Sequence, residues 1–259
     1  MKTISSRHNA LYKRVRDAVR GAGEEIVIEG PKAVGDAVRA GWRAVILSVS
    51  GGSVWSDGAL EDILGAARAP RSLALARDDN VIVFSPALFN DISDTKTSQG
   101  ILALFERPRA TLDQLFARGD SIVVALDGVQ DPGNVGTIVR LAAAFDAAGV
   151  AILPGSADPF GPKTIRASAG AILNVPCVPA SRDEILSRGW PLFAADARGE
   201  AIDPPARGAI LAFGSEGAGV SEEIARVAQK IAIPMSSRVE SLNVAASAAI
   251  LLSRSYALR

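Results

Sequence analysis

The chain has 259 residues, enough for one large domain or two modest ones, and 48% of them are hydrophobic, which supplies a real core. Charged residues make up 22%, near the average of folded proteins, so disorder as a global state is excluded. The formal net charge is zero, and the single Cys177 and single His8 exclude an intrachain disulfide, a cysteine or histidine metal cluster and a Ser-His-Asp triad.

The N-terminal "MKTISSRHNALYKRVRD" has no apolar h-region of a signal peptide. Overlapping it, "SSRHNALYKRVRDAVR" predicts a helix with a Ser cap and apolar Leu11, Val15 and Val19 (or Ala18) at helical spacing. Lys2, Arg7, Lys13, Arg14, Arg16 and Arg20 face only Asp17 there, a local excess of +5. That end fits either contact with a polyanion or a solvated helix face. "EIVIEG" predicts a short strand, and "PKAVGDAVRAG" a helix that opens on Pro31 and ends at Gly41. "AVILSV" and "NVIVFS" predict strands with the helical "DGALEDILGAARA" between them, and "GILALFE" a last strand. "ERPRATLDQLFARGD", with Pro108 and clustered charges, breaks the pattern. The expected organisation is a domain over 1–105, a linker over 106–120 with room for one short helix, and a second domain over 121–259.

The second half opens on "SIVVALDGV", an apolar run that suits a strand buried on both faces. The helical "GNVGTIVRLAAAFDAAG" and the strand "VAILPG" follow, and Cys177 lies in the apolar "NVPCVPA", which favours a packing role. "PLFAAD", "AILAFG" and "KIAIPM" are further strands, each followed by a loop and a helical pattern. This alternation predicts an α/β domain with a parallel sheet covered by helices. No run approaches the ~18 apolar residues of a membrane span, so a cytoplasmic protein without membrane or metal partners is expected.

Ligands of open parallel sheets gather beyond the carboxyl ends of the strands, and three loops there carry unusual residues. In "LDGVQDPGNVGTIVRLA", Asn134 reads as a helix N-cap. Gly136 allows a close backbone approach, and Arg140, six residues after Asn134, lies about 120° away around the helix. Arg140 reads either as a functional cation or as a snorkelling surface residue. In "LAFGSEGAGVSEEI", Gly214, Gly217 and Gly219 leave a bare backbone, and Glu216 stands alone among them without a structural reason. The spacing is not that of a dinucleotide fingerprint or a P-loop. In "IAIPMSSRVESLNVAASAAILLS", Ser241 and Asn243 stand at the mouth of a helix of small apolar residues, where one cap would suffice.

"NVGTIVRLAAAF", "FGSEGAGVS" and "IPMSSRVESLNVAASAAIL" resemble, in order, the three motifs of the SpoU (TrmH) family of RNA ribose 2′-O-methyltransferases, members of the SPOUT class. "SSRHNALYKRVRDA", "IVIEGPKAV" and "ISDTKTSQGILALFE" resemble the small L30e-like substrate-binding domain that precedes many of them. The resemblance implies a C-terminal SPOUT domain with a deep trefoil knot, preceded by a small α/β L30e-like domain. It implies S-adenosyl-L-methionine as cofactor, held by Gly214, Ile233 and Leu242 through backbone groups, with Gly217, Pro234 and Met235 beside them. It assigns the reaction to Arg140, Asn134, Glu216, Ser241 and Asn243, and no metal is required. Arg140 is expected to bind a phosphate and stabilise the developing alkoxide, since a guanidinium keeps its proton. RNA would be gripped by Arg7, Asn9, Lys13 and Arg14, with Arg166 as a further phosphate contact. The implied partners are RNA, ribosomal before transfer RNA, and a second copy of the chain in a homodimer. A noncatalytic RNA-binding protein and a nicotinamide-dependent enzyme are the competing readings.

Overall fold

A computed structural model of the protein describes residues 2–22, 24–51, 81–93 and 98–259. The chain divides into two compact units, Met1–Pro108 and Arg109–Arg259. The helix expected over 57–69 and part of the "ISDTKTSQG" segment lie outside the described residues.

In the first unit, β1 (Lys2–Ile4), α1 (Ala10–Val19), β2 (Ile26–Glu29), α2 (Pro31–Arg39), β3 (Ala44–Ser50), β4 (Val81–Phe84), α3 (Pro86–Ile92) and β5 (Ile101–Phe105) follow one another. The strands form a mixed sheet in the order β1-β4-β3-β5-β2, with β5 antiparallel to both neighbours. Tyr12, Val15 and Ala18, spaced to share one face of α1, are buried, and the Tyr12 ring stands edge-on to Phe84 at 6.0 Å. The cap of α1 is Asn9 and not a serine: its side chain accepts the Leu11 N–H at 2.8 Å. α2 opens on Pro31, where a missing N–H costs nothing.

The second unit contains α4 (Leu112–Phe116), β6 (Ile122–Asp127), α5 (Pro132–Ala144), β7 (Gly149–Ile152), α6 (Pro162–Ala167), β8 (Cys177–Pro179), α7 (Arg182–Leu186), β9 (Leu192–Glu200), β10 (Ala209–Gly214), α8 (Glu222–Val227), β11 (Gln229–Ile231) and α9 (Val244–Ala257). Its six strands are all parallel, in the order β11-β9-β10-β6-β7-β8. Strands β6 and β10, in the middle, are buried along their whole length, as their unbroken apolar sequence requires. Most of the segment read as a linker belongs here. Thr111 and Gln114 form a capping box for α4, whose Leu112 and Leu115 are buried in the core, and Phe116 meets Trp190 edge-on at 4.9 Å. A five-residue segment can carry a core contact that charges and a proline conceal in the sequence.

β9 is irregular in a way that matters below. β11 pairs with Phe193 and Ala194, then resumes at Glu200, so residues 195–199 bulge out of the ladder. A Cβ on Gly199 would lie 2.6 Å from the Lys230 carbonyl carbon, so the bulge closes only with glycine there.

Candidate active site

The three loops singled out above converge at the carboxyl edge of the parallel sheet. The first begins after β6. α5 starts at Pro132, three residues earlier than Asn134 as cap would imply, and its N-cap is Asp131, whose carboxylate accepts the Asn134 N–H at 2.9 Å. That bond, with Lys163 Nζ at 3.4 Å, holds the Asp131 carboxyl below its usual range. Because Asp131 does the capping, the Asn134 side chain is released for another role. Gly136 serves packing and not ligand approach: a Cβ there would collide with Thr164, Ala167 and Ser168, so glycine lets α6 lie against the first turns of α5.

The second loop follows β10. Ser215 and Gly219 exchange backbone hydrogen bonds at 2.9 Å, and Gly219 adopts φ +72°, so residues 215–219 close on themselves. A Cβ on Gly214 would overlap the backbone of Gly219 and Val220, which ties the fold of the loop to that glycine. Glu216 projects from the closed turn.

The third loop ends at Asn243, which caps α9: its Oδ1 accepts the N–H groups of Ala245 at 2.9 Å and Ala246 at 3.3 Å. The strand before it, β11, stops at Ile231, and α9 begins at Val244, so residues 232–243 form one long loop. With its Oδ1 spent on the cap, Asn243 turns its Nδ2 outward. That nitrogen donates to Glu216 Oε1 at 3.1 Å and to Asn134 Oδ1 at 3.2 Å, while Asn134 Nδ2 donates to Glu216 Oε1 at 2.7 Å. Three residues far apart in sequence thus share one polar cluster, each bonded to the other two. Glu216 Oε1 is fixed by two amides, and the carboxylate remains exposed.

Beside the cluster lies a cavity of about 610 Å³, within the size range of small-molecule sites. Its walls are the glycine loop from Gly214 to Val220, Ile233, Met235, Glu240, Ser241 and Leu242, and the β9 bulge with Asp196 and Arg198. Leu242 and Met235 expose 36% and 37% of their surface, apolar area that a ligand would cover. Asp196 accepts the Arg198 N–H at 2.9 Å and pairs with Lys230 at 3.1 Å, and these contacts hold its carboxyl below the usual range.

Of the expected site residues, Gly214, Glu216, Gly217, Ile233, Met235, Ser241 and Leu242 line this cavity, and Asn134 and Asn243 join it through Glu216. Pro234 does not; it lines a separate shallow depression with Arg254 and Leu258. Arg140 is exposed on α5, outside the cluster and the cavity lining. Six residues past Asn134 place it about 9 Å further along the axis and about 120° around it. Arg166 is exposed on α6. In the first unit, Arg7 pairs with Asp91 at 3.2 Å and Arg14 with Glu25, Asn9 is occupied by its cap, and Lys13 is exposed. Asp127, buried at the end of β6, and Arg182, which pairs with it at 2.7 Å, were not among the expected residues. A lone acid closing an apolar strand was the available signal, since a buried charge needs a partner.

Residues 121–253 match the model of the SpoU rRNA Methylase family, and residues 10–103 that of the MRM3-like substrate binding domain. A 23S rRNA (adenosine(1067)-2′-O)-methyltransferase of Streptomyces laurentii is 36% identical over 191 residues, 69% of this chain and 70% of that protein. A ribosomal RNA small subunit methyltransferase G 2 of Syntrophobacter fumaroxidans is 31% identical across 97% of this chain, which spans only about half, 48%, of that relative's length. The crystal structure of an AdoMet-bound rRNA methyltransferase from Sinorhizobium meliloti superposes with a TM-score of 0.85 at 26% identity, covering 99% of this chain and 98% of that one.

Proposed function

The chain belongs to the SpoU rRNA Methylase family, and from that premise we propose that it methylates a ribose 2′-hydroxyl of ribosomal RNA with S-adenosylmethionine. The observation that carries the reading is the meeting of Asn134, Glu216 and Asn243 at a cavity walled by Gly214, Ser241 and Leu242. The cavity residues fit that cofactor. The glycine loop offers bare backbone for polar edges, Ile233, Met235 and Leu242 offer apolar cover for a purine, and Glu216 offers negative charge to a cation, Asp196 being paired with Lys230.

When bound, S-adenosylmethionine supplies a methyl group already activated on a sulfonium, so alignment is the main demand on the protein. Glu216, held through Oε1, and the amides of Asn134 and Asn243 orient the incoming ribose. Ser241, exposed on the cavity wall, adds a hydroxyl on the same side. Arg140 stabilises negative charge growing on the ribose oxygen and binds the neighbouring phosphate. Within one chain Arg140 neither bonds to the cluster nor lines the cavity, and we assign this role to the Arg140 of a second copy. We therefore read the active unit as a homodimer of the second unit, with the trefoil knot expected of the class. The first unit, with Lys13 and Arg7 exposed, would hold the RNA; cytoplasmic ribosomal RNA is the expected substrate.

The test is methylation of total RNA by the purified protein with isotope-labelled S-adenosylmethionine, mapped by the resistance of 2′-O-methylated linkages to alkali. Label in an alkali-resistant ribosomal RNA linkage supports the reading. Label in transfer RNA alone would move the substrate, and label in no RNA would overturn the assignment.

A further inference from the structure

One carboxylate, outside the cavity, ties down both ends of the loop that walls it. Asp127 closes β6 and is 2% exposed. In the sheet register it stands opposite Gly214, where the loop begins. Its Oδ2 accepts the N–H of Ser221, where the loop ends, at 2.7 Å. Among the described residues, Ser221 has little else to fix it: its hydroxyl is buried without a hydrogen-bond partner, and α8 has no side-chain cap.

The other oxygen of Asp127 is held by Arg182. Nε donates to Oδ1 at 2.9 Å and Nη2 lies 2.7 Å from the same atom. Arg182 is the first residue of α7, beyond β8, and its guanidinium also donates to the Pro154 carbonyl at 3.1 Å. The arginine therefore reaches along the carboxyl edge of the sheet, past the end of β7, to the end of β6. A buried carboxylate without such a partner would be costly, and a charged acceptor makes a short, strong bond of the kind seen at Ser221 N–H, 2.7 Å. Neither Asp127 nor Arg182 lines the cavity.

Resting on the reading that this cavity takes S-adenosylmethionine, we propose that Asp127 and Arg182 are positioning residues that hold the Gly214–Ser221 loop in its cofactor-accepting shape without touching the cofactor. The far side of the loop, at Gly219 and Val220, packs directly on Gly214, so closely that a Cβ there would overlap their backbone. It cannot drift away because Ser221 is pinned to the end of β6.

The test compares the full chain with Arg182→Met, Arg182→Lys and the double variant Asp127→Asn/Arg182→Met. Three quantities are measured: calorimetric Kd for S-adenosylmethionine well below each melting temperature, the melting temperature itself, and amide hydrogen exchange over residues 214–221. Arg182→Met should weaken cofactor binding roughly tenfold, the worth of one charge-assisted bond, and speed exchange at Ser221. Arg182→Lys should fall between it and the wild type. The double variant leaves no buried unpaired charge, so its melting temperature should recover while its Kd stays raised. If Kd recovers together with stability, or if no variant shifts Kd by more than twofold, the two residues only hold the fold and the proposal fails. If the wild-type protein itself binds no S-adenosylmethionine, the functional reading fails instead.

Discussion

Asn243 carries two duties that can be separated by substitution. Its Oδ1 caps α9 through the Ala245 and Ala246 N–H groups, and its Nδ2 binds Glu216 and Asn134. Asn243→Ala removes both. Loss of a cap of this kind costs about 0.5–2 kcal/mol, which for a unit of the size of 109–259 lowers Tm by roughly 2–4 °C per kcal/mol. Asn243→Ser keeps an acceptor oxygen for the cap at a cost of only a few tenths of a kcal/mol, since Ser and Asn rank about equally as caps. It cannot, however, supply the two N–H donors. Glu216 Oε1 then keeps only Asn134, and a hydrogen bond to a charged group is worth about 1.5–3 kcal/mol. Expressed in the transition state, that is a loss of roughly 10- to 150-fold in rate. Thermal melts and transfer of labelled methyl at saturating cofactor should therefore diverge: Asn243→Ser melts near the wild type but turns over slowly, and Asn243→Ala loses on both. Wild-type turnover by Asn243→Ser would show that the cluster is only a helix cap and refute its catalytic role.

Gly214→Ala should abolish cofactor binding and lower Tm, because the added methyl overlaps the Gly219–Val220 backbone, which cannot give as a flexible side chain would; calorimetry and a melt check both. Arg140→Ala should leave cofactor Kd near the wild-type value and cut methyl transfer by about 10²-fold or more, the scale of removing a charge-stabilising donor; transfer at the wild-type rate would reject its assigned role. Asp146, at φ +50°, is held below the usual carboxylate range by Arg118 and then by Arg259. Its contribution is present above the unfolded carboxylate value of ~3.9 and is lost as pH falls through the lower folded value. Asp146→Asn, which tolerates the same backbone angle, should thus destabilise at neutral pH with a deficit that vanishes in acid, read by denaturant titration at both pH values. The Cys177 thiol is buried and pushed up to about 12 by burial alone, so a thiol reagent at pH 8 should react only with the unfolded chain.

What the sequence made legible was whatever burial writes as a period. "EIVIEG" became Ile26–Glu29, the helix from Pro31 began where proline fits, and "SIVVALDGV" became the fully buried β6. Local chemistry was harder where two residues satisfied one rule. Asp131 and Asn134 both suit an N-cap, and Pro132 at the first helical position decided for Asp131. A serine was expected before α1, where Asn9 caps. The bulge at 195–199 left only Gly199 as its mark in "PLFAADARGE", because it arises from how β11 pairs with β9. Glu216 was legible as an exception, a polar group among glycines where the local structure asked for none, whereas Asn134 and Asn243 also read as caps. Their mutual bonds were not legible, since Asn134 and Glu216 are 82 positions apart and only the sheet brings them together.

We read the cavity beside Asn134, Glu216 and Asn243 as built for a sulfonium donor. Calorimetric titration of the purified full chain with S-adenosylmethionine tests it most directly, with S-adenosylhomocysteine and NADH as competitors. One saturable site per chain, competition by S-adenosylhomocysteine and indifference to NADH are expected. No binding of S-adenosylmethionine, or its displacement by NADH, would contradict it.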